Sequence, residues 1–127
     1  MTAPDRDESG RYAFDGLDRV FHEKARLGIL TCLVSHADGM AFGELRDLCG
    51  LTDGNLNRHL AVLQEAGLVE IDKGYLGKRP RTICRLTNEG QTQFEAYLRQ
   101  LESVVTDALA AVRLRLGEGF GFGERPA

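Results

Sequence analysis

Leu56, Leu60 and Leu63 return at steps of four and three, so the spacing predicts a helix over 52–66 with one buried stripe. Thr52 supplies an N-cap oxygen for its first turn, and Gly67 follows Ala66 where a left-handed residue would stop it. The side opposite the leucines carries Gly54 and Arg58, flanked by Asn55, Asn57 and His59. Upstream, Leu17, Val20 and Phe21 predict a short helix over 16–22, and Leu27, Ile29, Leu30, Leu33 and Val34 a second that stops at Asp38-Gly39. Met40-Ala41-Phe42 is too short for a helix and suits a small edge strand. Leu45, Leu48 and Cys49 predict a third helix over 43–49, closed by Gly50. A helix, a brief glycine turn and a second helix make the layout of a helix-turn-helix.

After Gly67 the rhythm changes to alternation. Val69 and Ile71 point inward between Glu70 and Asp72, and Thr82, Cys84 and Leu86 share one face of a second strand. The segment 74–80 between them reads as a loop too long for a two-residue turn, and Pro80 suits a place where ladder pairing has lapsed. Thr87 then caps the longest helix, 88–116. Phe94, Leu98, Leu101, Val105, Ala108 and Val112 step by four and three in turn, a heptad seam that spans ~40 Å at 1.5 Å per residue. So long a rod overhangs a small domain, and a second copy is the simplest cover for its seam. A homodimer with those six residues at the interface is expected, although the stripe could also fold back on Leu17, Val20 and Phe21, with Tyr97, Val104 and Ala111 beside it.

The expected fold is mainly α with a small β-wing (α+β). It comprises a disordered tail over 1–12, a winged helix-turn-helix over 13–87, the dimerisation helix 88–116 and a flexible Gly-rich tail over 117–127, where Phe120 and Phe122 could dock on a partner.

Charge sharpens this picture. The net charge of −3 argues on its face against nucleic acid, but it is unevenly spread. Residues 52–87 carry six basic and four acidic side chains, and from Lys73 to Arg85 there are five basic residues (Lys73, Lys78, Arg79, Arg81, Arg85) and no acidic one between Lys73 and Arg85. A basic hairpin beside a helix of amides and a guanidinium is the electrostatic footprint of a nucleic-acid reader. Asn pairs with adenine, and Arg with guanine, in the major groove. Candidate contacts are Thr52, Gly54, Asn55, Asn57, Arg58 and His59 on the helix, and Lys73, Lys78, Arg79 and Arg81 on the wing (73–85), to backbone or minor groove. Gly54 lets backbone N–H groups approach a phosphate, and Asp53, a departure from a DNA-friendly surface, complements the helix dipole.

Other chemistry finds little support. His22, His36, His59 and the three cysteines lack metal-ligand spacing, and no phosphate loop, nucleophile elbow or zincin motif occurs. No metal, cofactor or catalytic residue is expected, so the protein is not expected to be an enzyme. Cys32, Cys49 and Cys84 suit small buried apolar positions, with Cys49, at the end of the helix that props the reader, the one whose oxidation could tilt that pair. Met1 to Gly10 lacks an apolar signal region, and no apolar run reaches the ~20 residues of a membrane span, so a cytoplasmic location without membrane contact is expected.

The segments 51–60 and 63–69 resemble the recognition helix of small bacterial winged helix-turn-helix transcriptional regulators of the ArsR/MarR-like type. Gly77-Lys78-Arg79-Pro80-Arg81-Thr82 and Arg85-Leu86-Thr87-Asn88-Glu89-Gly90 are similar to that group's wing and wing-to-helix junction, and 22–33 to its first core helix. The resemblance covers roughly 16–105. It implies a dimeric regulator of transcription, usually a repressor, on double-stranded DNA with a pseudo-palindromic operator. The Cys-x-Cys pair of the metal-sensing members is missing, since only Cys49 lies in that region. A small-molecule effector in the cleft between reading domain and dimer helices is compatible with this scheme, although no residue set identifies one. The rival reading is a winged-helix module for protein–protein assembly that does not bind DNA directly.

Overall fold

Three leucines on one face of a helix need apolar neighbours, and four other elements supply them. The computed structural model describes residues 9, 11, 13, 19–21 and 23–117. These hold α1 (Lys24–Val34), β1 (Met40–Ala41), α2 (Phe42–Cys49), α3 (Asp53–Glu65), β2 (Val69–Leu76), β3 (Arg79–Leu86) and α4 (Asn88–Leu116). One compact unit lies within residues 18–97, and a second holds α4 from Leu98 onward with the described residues up to 13.

In the first unit Leu56, Leu60 and Leu63 of α3 are buried with Ile29, Leu30 and Leu33 of α1, Leu45 of α2, Met40 of β1, Cys84 of β3 and Leu68. Hydrogen bonds close both helix ends that matter. Thr52 Oγ1 accepts from Asn55 N–H at 3.1 Å at the start of α3. At its end the N–H groups of Gly67 and Leu68 donate to the carbonyls of Gln64 and Leu63, each at 2.9 Å, with Gly67 at φ 79°. Gly50 and Leu51 close α2 in the same manner, donating to Asp47 and Arg46.

The sheet is antiparallel, in the order β1-β3-β2. The wing departs from expectation. Its strands run to Leu76 and Arg79, which pair across a turn of only Gly77 and Lys78, so 74–80 is mostly strand. Gly77 at φ 66° makes so tight a reversal accessible. The pair next to the turn, Leu76↔Arg79, is the hydrogen-bonded one of a two-residue hairpin, so Tyr75↔Pro80 is not, and the proline nitrogen faces away from β2. β1 reaches only Ile83 and Cys84, so no ladder bond is lost there.

The helix expected over 16–22 is not formed where it can be seen. Arg19–Phe21 is a turn, and Glu23 is extended before α1 begins. Residues 16–18 and 22 lie outside the described set, as do 1–8, 10 and 12 of the expected tail over 1–12 and 118–127 of the one over 117–127. A seven-residue apolar pattern offers too few hydrogen bonds to offset helix nucleation, and Phe21 is held by side-chain packing instead. Its ring lies 6.0 Å from Phe94 and 5.2 Å from Tyr97. That packing corrects a second expectation: Phe94 is 3% exposed and belongs to the core of its own unit, not to a seam between copies. Leu48, which shares the apolar spacing of α2, is exposed, and α2 buries Leu45.

Thr87 pins the start of α4 to the end of α3. Its hydroxyl donates to Gly67 O at 2.8 Å and accepts from Gly90 N–H at 2.8 Å, while its own N–H donates to Leu68 O.

Candidate nucleic-acid interface

Burial of Leu56, His59, Leu60 and Leu63 fixes which side of α3 is left outside. At 100° per residue the centre of the free side is the line Gly54, Arg58, Ala61 and Glu65, all exposed. Asn55 flanks it on one side, where Arg58 Nη2 lies 3.5 Å from Asn55 Oδ1. Asn57 and Gln64 flank it on the other and look towards the hairpin. Thr52 and Gly54 stand exposed at the helix N-terminus.

His59 is not part of this surface. It is 3% exposed, and its Nδ1 lies 3.3 Å from Arg26 Nε, which donates to it, and 3.4 Å from Glu23 Oε1. Burial pushes the imidazole below its ordinary pKa, against the pull of Glu23 and with help from Arg58 and Arg26. The position one step before Leu60 sits at the edge of the buried stripe, so the ring packs inward and its polar atom is satisfied on α1.

Asp53 is explained by a neighbour. Arg46 of α2 donates to Asp53 Oδ1 at 2.8 Å and to Asp47 Oδ1 at 2.9 Å. Those hydrogen bonds, Asp47 first, hold the guanidinium above its ordinary pKa. The Asp53 carboxylate is thereby paired, although it shares the guanidinium with Asp47, and α2 is tied to the first residue of α3.

Register divides the hairpin into two faces. Ile71, Lys73 and Tyr75 share one with Cys84, Thr82 and Pro80; Glu70, Asp72, Gly74 and Leu76 share the other with Arg85, Ile83, Arg81 and Arg79. The first faces α3 across a cleft of about 450 Å³ whose lining includes Asn57, Gln64, Lys73 and Thr82 over a floor of Leu60. On the second, Arg85 is engaged by Glu70 at 3.1 Å and Asp72 at 3.9 Å. Arg79, Arg81, Lys73 and Lys78 are exposed and have no acidic partner among the described residues. The fold thus brings Lys73 together with Asn57, and sends Arg79 and Arg81 to the far face of the hairpin.

Two further residues join the candidates once the fold is seen. Gln64 follows Asn57 at i+7 through Ala61, a flank legible from the helical spacing. Tyr75 is 75% exposed opposite Pro80 near the hairpin tip, and only the true length of β2 puts it there.

Of the other expected interface residues on α4, Leu98, Val105, Ala108 and Val112 are exposed and Leu101 is half-buried. Leu109, outside the heptad seam, is exposed beside them. Among the described residues no helix is long and apolar enough to cross a membrane.

Residues 25–105 match the family described as winged helix DNA-binding domain. An uncharacterised protein of Methanocaldococcus jannaschii is 35% identical over 83 residues, which are 65% of this chain and 89% of that protein. A transcriptional regulator homologue from Pyrococcus horikoshii OT3 has a similar structure, with a TM-score of 0.67 and 30% identity over 72% of this chain and 89% of that one. The DNA complex of MepR from S. aureus shares the fold, with a TM-score of 0.62 and 18% identity over 91% and 94% of the two chains. With a family match across most of its length and a relative covered almost end to end, the chain belongs to the winged helix DNA-binding domain family.

Proposed function

We propose that the protein is a sequence-specific regulator of transcription, not an enzyme, that works as a homodimer in the cytoplasm, most simply as a repressor. α3 lies in the major groove with Arg58 and Asn55 on base edges. The observation that carries this is the exposed line Gly54–Arg58 beside a hairpin with four unneutralised cations. Thr52, Gly54 and the N-terminus of α3 suit one phosphate, and Asn57, Gln64 and Lys73, which line the cleft beside the hairpin, suit the sugar–phosphate strand at the groove edge. Lys78, Arg79 and Arg81 reach the backbone or minor groove beyond. Two copies would want half-sites ~10 bp apart. Selection from a pool of random duplexes tests this: an enriched two-fold motif supports it, and an unenriched pool favours the protein-assembly module.

Replacing Arg79 and Arg81 together with alanine should weaken specific and scrambled duplexes alike and reduce the salt slope by about one unit per lost phosphate contact. Gel-shift titrations at several salt concentrations read both. Loss confined to the specific duplex would remove the wing assignment.

For the homodimer, Val105 and Leu109 are the exposed apolar side chains to charge. Each side chain buried at an interface contributes about 1.5–3 kcal/mol, so Val105→Glu with Leu109→Glu should raise the dimer dissociation constant by about 100-fold or more. Sedimentation equilibrium reports it, and a wild type that is monomeric at every concentration would end the proposal.

A further inference from the structure

Cys32, in the last turn of α1, and Cys49, the final residue of α2, place their Sγ atoms 3.9 Å apart although 17 positions separate them. Both are partly exposed, whereas Cys84 is fully buried. A groove walled by Leu27, Gly28, Thr31, Leu48 and Leu51 opens on the two sulfurs and admits a small oxidant. A Cβ at position 28 would stand 3.8 Å from Cys49 Sγ, so glycine there leaves that sulfur room to swing towards α1.

We propose that Cys32 and Cys49 are a modification site at which a peroxide forms an intrachain disulfide, and that the bond resets the helix pair beneath the recognition helix. One thiol, as thiolate, attacks the peroxide oxygen and becomes a sulfenic acid, releasing water or an alcohol. The second sulfur then displaces hydroxide from the first, giving the S–S bond and a second water. Two thiols lose two protons and two electrons, and the peroxide takes both. Burial, and then Cys32 alongside, pushes the Cys49 thiol up to about 11, so that sulfur stays protonated at neutral pH.

Closing 3.9 Å to the ~2.05 Å of a disulfide turns both side chains, and in this proposal the α2 end shifts with them. That end carries Gly50, around which nothing is packed where a side chain would stand. Arg46, three residues before Cys49, grips Asp53 at 2.8 Å, so a displaced α2 carries the start of α3 with it. The consequence for DNA rests on the function proposed above, whereas the disulfide does not.

The full chain is treated with hydrogen peroxide, denatured, and examined by intact mass, thiol titration and non-reducing peptide mapping. The expected product has lost two hydrogens, keeps one of its three thiols, links Cys32 to Cys49 and reverts with dithiothreitol. A bridge between chains, a bridge to Cys84, or sulfinic acid without a cross-link would overturn the site. In a parallel titration the oxidised protein should bind its selected duplex at least about tenfold more weakly, and Cys49→Ser should not respond to peroxide. A bridge that forms with affinity unchanged overturns the switch. Reduced protein that ignores every duplex refutes DNA binding instead, because the mass reports the bond independently.

Discussion

Arg58→Ala is expected to abolish most discrimination between the operator and a scrambled duplex while leaving the protein as stable as before. The side chain is at the centre of the free side of α3, with Asn55 Oδ1 at 3.5 Å and no core contact to lose. A bidentate guanidinium on guanine is worth about 1–3 kcal/mol of discrimination, which is roughly a fivefold to 150-fold drop in the ratio of affinities per half-site. Two half-sites in a dimer multiply that loss. Affinity for scrambled DNA should fall only by the share due to one positive charge. Anisotropy titrations of both duplexes provide the ratio, and equal discrimination by wild type and variant would remove Arg58 from the base-reading surface.

Gly90→Ala is expected to destabilise the fold by about 2–3 kcal/mol, as overpacking in a tight site does, lowering Tm by roughly 10 °C or more. A Cβ there would collide with the backbone carbonyl of Leu68 and reach Leu86 Cδ1 at 3.0 Å. The helix cannot back away cheaply. Gly90 N–H is held by Thr87 Oγ1 at 2.8 Å, and Thr87 in turn holds Gly67 and Leu68. Helix propensity alone predicts the opposite sign, a gain of ~1 kcal/mol for alanine over glycine. Thermal melts therefore decide whether α4 is truly wedged against the end of α3: a Tm at or above that of wild type would contradict the packing.

What sequence revealed and what it hid follow from the range of the interactions involved. Thr52, Gly50 and Gly67 act within a turn of their own position, so both ends of the helix pair were legible, as were the leucine stripe of α3 and the edge strand at Met40–Ala41. Val20 and Phe21 stand in a turn and not in the expected helix, because spacing does not reveal that Phe21 is captured by Phe94 and Tyr97, more than seventy positions away. The same capture withdraws Phe94 from a seam whose period it fits. His59 sits where one step of helix rotation decides between solvent and core, and its partners Arg26 and Glu23 come from another element. The tight wing turn is not legible in sequence, because Tyr75 and Leu76 lack the alternation of a half-buried strand; both faces are wet at the hairpin tip. No spacing rule joins Cys32 to Cys49, since only the crossing of α1 and α2 brings them together.

The most direct test of the central claim, that the free side of α3 and the basic hairpin lie on duplex DNA, is an anisotropy titration of the full chain against a selected duplex and its scramble at ~50 and ~200 mM salt. The account predicts tight, sequence-dependent binding at the lower salt, and a steep fall at the higher that tracks the phosphates contacted. Binding absent at low salt, or equal for both duplexes and indifferent to salt, would contradict it.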